Sequence, residues 1–259
     1  MSGPQARRPP IVLGGGSVMH YRWLTFTAVV SVLPAACAWA GQLVIVDDIP
    51  GTFMDITASG TILELGGNDE IVIVTTIGNE IFPSGSVVVA NNGGLGFAFP
   101  PSNDLPPLNE PIPSPAAFGG GRALLPFWDD IDDKNGDVLE LQTEEMLIIQ
   151  WNDLILTGTG DTVTFQVQIF GDPVGGPEAV FAQILFADIE QLAPGGGASA
   201  TIGYQDGGGG FGDFQWSFDT AAAVANGTVL SIVTPEPATL MLLALGGFAI
   251  RRTRRRLRS

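Results

Sequence analysis

From residue 41 to residue 229 the chain is written in short apolar runs whose members alternate with polar residues, and turn-forming residues separate one run from the next. The clearest run is 162–170, where Val163, Phe165, Val167 and Ile169 alternate with Thr164, Gln166 and Gln168. A period of two places alternate side chains on opposite faces, so this stretch predicts a strand with one buried and one wet face. Comparable runs at 43–46, 62–65, 71–76, 87–90, 138–141, 146–151, 180–186 and 200–204 predict further strands. No stretch of this region combines helical apolar spacing with helix caps. Many short strands and no helix predict an all-β fold, an antiparallel β-sandwich forming one domain over 41–229. Residues 100–121, with seven prolines and Gly119 to Gly121, read as a long surface loop, and Gly207 to Gly210 as a flexible turn.

The pattern changes at both ends. Residues 1–18 are rich in Gly, Pro and Arg and carry no export signal, so they read as an upstream extension before Met19. Residues 19–40 then have the layout of a signal peptide: Arg22, an apolar stretch from Trp23 to Ala36, and the small-x-small site Ala38-Trp39-Ala40 before Gly41. Pro34 stands where a lipoprotein signal based on Cys37 would need Leu. At the other end, Ser231 to Thr234 read as a linker into Pro235-Glu236-Pro237, which two prolines hold extended as an exposed handle. Ala238 to Ile250 is uncharged, and Arg251, Arg252, Arg254, Arg255, Arg256 and Arg258 follow it. Such a basic end stays on the cytoplasmic side and stops translocation. The 13-residue run is short against the roughly 20 residues of a full span, and backward extension through Leu230, Ile232 and Val233 would lengthen the transmembrane helix.

Residues 230–259 read as the sorting segment, and within it the order of tripeptide, short apolar run and arginine cluster over 234–259 resembles the PEP-CTERM sorting signal of Gram-negative bacteria. The resemblance implies export through the Sec machinery and passage through the inner membrane. It implies recognition by an exosortase, a membrane-embedded cysteine transpeptidase acting near the tripeptide. It also implies a final place at the cell surface or in an extracellular matrix, with exopolysaccharide or biofilm association. Removal of the tail and its retention as an anchor both stay open.

Charge narrows the partners. Only Arg122 and Lys134 lie between Arg22 and Arg251, against all 27 acidic residues, a formal −25 for the central part. Nucleic acid is excluded as a partner, because neutralising phosphates needs Lys and Arg that this region lacks. The single cysteine, Cys37, falls in the signal segment, so the mature domain folds without disulfides.

The densest polar cluster runs from Asp129 to Asp137. Its residues Asp130, Asp132, Asp133, Asn135 and Asp137 are of the oxygen-rich kind that calcium takes as ligands. The spacing does not fit an EF-hand: with Gly136 at the loop glycine, Ile131 falls at the first ligand position and Gln142 at the twelfth. The other reading is a solvated hairpin in which Asn135-Gly136 supplies positive φ between Asp130 and Val138. Catalytic signals are sparse. The one histidine, His20, lies in the signal segment, leaving no Ser-His-Asp or Cys-His set and no zinc set. Trp128 and Trp151 read as core, and Trp216, in a more polar run, as an exposed aromatic suited to stacking on sugar.

A second likeness lies inside the domain. Asn91-Asn92-Gly93 before an aromatic-rich strand, Phe127-Trp128-Asp129-Asp130, the run Ile148 to Asn152, Thr162 to Val167 and Ala200 to Tyr204 follow an order similar to nidogen-like β domains of bacterial surface proteins. Such domains serve adhesion and matrix roles. The expected function is therefore a non-catalytic exported surface or matrix protein. The alternative is a secreted glycoside hydrolase working through paired carboxylates.

Overall fold

The computed structural model describes residues 43–65, 69–97, 105–107, 109–114, 118, 121–174, 179–189 and 198–234. Their regular elements are all strands, and every pairing is antiparallel. The larger sheet places β1 (Val44–Val46), β14 (Val229–Val233), β11 (Val180–Asp188), β10 (Thr162–Val174), β9 (Met146–Leu156), β8 (Asp137–Gln142) and β2 (Thr61–Ile62) side by side, with β7 (Ile131–Asp132) also on β9. The smaller sheet runs β13 (Phe214–Phe218), β12 (Thr201–Gln205), β6 (Arg122–Trp128), β5 (Gly94–Phe97), β4 (Gly85–Ala90) and β3 (Glu70–Thr75). The signal peptide, the upstream extension and the C-terminal transmembrane helix lie outside the described residues.

The core between the sheets is built by the alternation read from the sequence. Val163, Phe165, Val167 and Ile169 of β10 all face inward and are buried. Phe165 stacks on Trp151 of β9 at 4.8 Å and meets Phe127 of the opposite sheet at 5.6 Å. Burying each such aromatic contributes roughly 1.5–3 kcal/mol, and here the burial joins the two sheets. The Asn91-Asn92-Gly93 turn closes the β4–β5 hairpin, with Gly93 at φ 76° and its Cα under the Phe127 carbonyl, where a Cβ would come within 2.1 Å. Only glycine fits there.

The outer faces depart from expectation. The second face of β10 is not wet: Gln166 and Gln168 are buried beneath residues 50–56, which cross the larger sheet in extended form. Residues 100–121 are more than a surface loop. In their described part Leu105 and Phe118 pack with Ala90, Ala123, Leu125 and Trp128 over the outer face of the smaller sheet, since that face is itself apolar. Residues 230–233 belong to β14, which pairs β1 on one side and β11 on the other, so the domain extends to Val233 instead of ending at 229. Leu230 and Ile232 are consumed by the sandwich core, and Val233 is buried with Phe170 and Val180 in a separate small cluster.

Candidate functional site

The acidic segment divides at Asp130. Asp129 is drawn inward: its backbone N–H donates to the Asn92 carbonyl, and its carboxylate accepts the Ser199 hydroxyl and the Asp130 N–H. Burial pushes its pKa up, with the two hydrogen bonds opposing. The loop proper is not a hairpin. β7 and β8 both pair along one edge of β9, Asp132 opposite Ile155 and Asp137 opposite Asn152, so 133–136 bulges out of an interrupted edge strand. Positive φ falls instead on the facing strand, at Asp153 (φ 53°), whose N–H donates to Thr164 Oγ1 at 3.0 Å. Gly136 serves close approach: a Cβ there would meet the Asn152 carbonyl oxygen at 2.2 Å.

Of the five residues expected to ligate calcium, Asp132 turns back on the loop. Its Oδ1 accepts the Lys134 N–H at 2.9 Å and its Oδ2 pairs with Lys134 Nζ, which lowers the Asp132 pKa and raises that of Lys134. Both groups stand in solvent, so the pair contributes little to stability. Asp130 precedes β7, Asp133 and Asn135 lie in the bulge, and Asp137 opens β8 opposite Asn152. Among the described residues no three His, Cys, Asp or Glu side chains are grouped to hold a metal ion.

A second buried carboxylate organises the glycine-rich turn. Asp206 Oδ1 accepts the Tyr204 hydroxyl at 3.0 Å and lies 3.4 Å from Arg122 Nη2, while Oδ2 accepts the N–H groups of Phe211 and Gly212. Burial raises the Tyr204 pKa far above its ordinary range. Arg122 also donates to the Ile81 carbonyl and lies against the Phe211 ring. The turn expected to be flexible is thus tied to an internal ion pair, and a Cβ on Gly209 would strike Arg122 Nη2.

Of the three tryptophans among the described residues, two belong to the interior. Trp128 and Trp151 are fully buried, their indole N–H groups donating to the carbonyls of Pro106 and Ala90. Trp216 is half-buried against the core and donates to the Ala223 carbonyl at 3.3 Å.

The arrangement not anticipated from sequence is a row of amides on the larger sheet. Gln183 Nε2 donates to the Pro50 carbonyl, Gln168 Nε2 to Thr52, and Gln166 Nε2 to Met54, at 3.3, 3.0 and 2.7 Å. Gln166 Oε1 and Gln150 Oε1 accept the N–H groups of Met54 and Ile56. The amides are also linked to one another, Gln168 to Gln166 and Gln166 to Gln150. Every second residue of 50–56 is thereby held through its backbone. Gly51 lies so close to Gln183 that a Cβ would meet Oε1 at 2.6 Å. The available signal was the recurrence of Gln at alternate positions in β10 and opposite them in β9 and β11.

The sorting residues Pro235, Glu236 and Pro237, the arginines Arg251 to Arg258 and the cleavage residues Ala38 and Ala40 lie outside the described residues. What the structure does place is their neighbour: Val233, the last residue of β14, is buried and paired with both Val44 and Val180. Residues 233–256 match the PEP-CTERM protein-sorting motif. That motif implies an exported protein sorted by an exosortase, with membrane passage on the way. No curated protein and no solved structure matches the chain, and the likeness of the central domain to nidogen-like domains gains no support.

Proposed function

From a sorting motif seated directly behind a β-sandwich, we infer a non-catalytic surface or matrix protein that displays an acidic domain outside the cell. The chain enters the Sec pathway through residues 19–40, is held in the inner membrane by 238–258, and is released when an exosortase acts near Pro235-Glu236-Pro237. The observation that carries this reading is the motif match over 233–256. Its test is the variant Pro235→Ala, Glu236→Ala and Pro237→Ala, which should accumulate in the inner membrane while the wild type reaches the surface. Equal surface delivery of both would overturn the exosortase step.

Several features support a role without catalysis. The buried ionisable groups Asp129, Asp206 and Tyr204 each spend their hydrogen-bonding capacity on the fold. The exposed carboxylates belong to turns and strand edges without a fixed frame, which suits a solvated domain resting among hydrated polysaccharide. Glycan binding by the secreted domain, measured with calcium and with chelator, checks the exopolysaccharide association. Hydrolysis of any polysaccharide, abolished by changing one Asp or Glu, would instead favour the glycoside hydrolase. Calcium at the 130–137 loop has its own measurement. The reading of a solvated bulge predicts no rise in melting temperature in millimolar calcium. A rise that Asp132→Ala with Asp133→Ala removes would establish the cation site.

A further inference from the structure

The two junctions between the domain and its targeting segments lie side by side. β1 begins four residues after Ala40, and β14 ends two residues before Pro235. Val44 is paired directly with Val233 in antiparallel register, so the chain enters and leaves the larger sheet at one end. The same end carries Val180, paired with both Val233 and Val174, and the Thr143–Glu145 turn, tied in by Gly171 N–H donating to the Glu145 carbonyl. From the smaller sheet, Asn79 Nδ2 reaches the carbonyls of Phe170 and Phe181, bringing Glu80 to this end, and Phe211 O accepts the Leu43 N–H, bringing Asp213.

Reach follows from this arrangement. Val233 cannot swing free, because it is buried and hydrogen-bonded into the sheet on both flanks. Only Thr234 separates it from the sorting tripeptide. At roughly 3.3–3.6 Å per extended residue, Glu236 lies within about 11 Å of the Val233 Cα. An enzyme acting on that tripeptide while the domain is folded has no room to stand off. It must rest against the end of the sandwich. Among the described residues the exposed charged side chains there, Glu80, Glu144, Glu145, Asp172 and Asp213, are all acidic, and Arg122 nearby is taken up by Asp206 and Ile81. The other basic residue of the described part, Lys134, lies in the bulge between β7 and β8, toward the opposite end.

We propose that the end of the sandwich where β1 enters and β14 leaves is a docking face for the sorting enzyme, complementary to a basic surface around that enzyme's active site. The proposal rests on the exosortase reading given above. A protein partner fits better than lipid, since an acidic face is repelled by anionic headgroups.

The test is the rate of tail removal from the full chain in its own host, followed by pulse-chase. Reversing Glu144→Lys, Glu145→Lys and Asp172→Lys, all exposed, should slow removal about fivefold or more, as rim charges do at steered interfaces. The same change of charge at the opposite end, Asp133→Lys, Asp137→Lys and Asp161→Lys, should leave the rate as in wild type. A flexible spacer of about ten Gly and Ser residues after Thr234 should restore fast removal to the first variant, because it lengthens the reach by some 17 Å. Circular dichroism of the secreted domains checks that each variant is folded. Equal rates in the two triple variants, or a spacer without effect, would overturn the docking face while leaving the sorting reading intact. A wild type that keeps its tail at the surface would overturn both. Slowing accompanied by binding of the secreted variant to anionic vesicles would trace the effect to lipid adhesion, and would overturn the enzyme interface.

Discussion

At the scale of single residues, the buried amide row sets the sharpest expectation. Gln166 sits at its centre, meeting both the N–H and the carbonyl of Met54 and linking Gln168 to Gln150. Gln166→Leu removes four hydrogen bonds at once, two to the Met54 backbone and one each to Gln168 and Gln150, at about 0.5–1.5 kcal/mol apiece. Urea unfolding of the secreted domain should therefore show a loss of roughly 2–4 kcal/mol, and a loss near zero would mean the strap 50–56 is not held by this row. Gly136 separates two accounts of the acidic segment. Gly136→Ala should destabilise by about 2 kcal/mol or more because the new Cβ meets the backbone of β9, whereas Asn135→Ala should change little. A positive-φ hairpin would make both substitutions costly. Asp129 gives a pH signature. Its folded pKa is raised, so the folded state holds the proton more tightly than the unfolded chain does, and stability falls as pH climbs from the ordinary carboxylate value through the raised one. Asp129→Asn keeps both hydrogen-bond positions occupied. Melting curves should lose this acid-side gain in the variant, and an unchanged pH profile would contradict the assignment.

At the scale of elements, the inward faces were legible and the outward ones were not. The alternation in β10 and β9 fixed which residues enter the core, because a sandwich core demands a strict period of two. The wet face assigned to Gln166 and Gln168 was wrong because polarity alone does not distinguish contact with water from contact with a crossing backbone; both satisfy an amide. β6 shows no strand signal in the sequence because Ala123 to Trp128 is apolar throughout, with both faces covered, and a continuous run carries no alternation. β14 was missed for a related reason: its apolar residues adjoin a membrane-directed run, and hydrophobicity could not say where the domain stopped and the span began. The placement of β14 makes a direct prediction. A fragment ending at Val229 strips the strand between β1 and β11 and should fail to fold, while one ending at Thr234 should give a cooperative β-sheet melt. Equal folding of the two would contradict the pairing of β14.

At the scale of the whole molecule, the chain carries an acidic sandwich whose entry and exit strands are paired as neighbours, and the sorting motif follows directly on the exit strand. The sorting motif was legible because its tripeptide, apolar run and arginine cluster are contiguous in the linear chain. The docking end was not, because it arises only when β1, β14 and the β8–β9 turn are brought together by the fold. The central claim is that the domain leaves the cell without either flanking segment, and intact-mass spectrometry of the protein collected at the surface tests it most directly. The account predicts a chain beginning at Gly41 and ending near Pro237, with Arg251 to Ser259 absent; surface protein that still carries those arginines would contradict it.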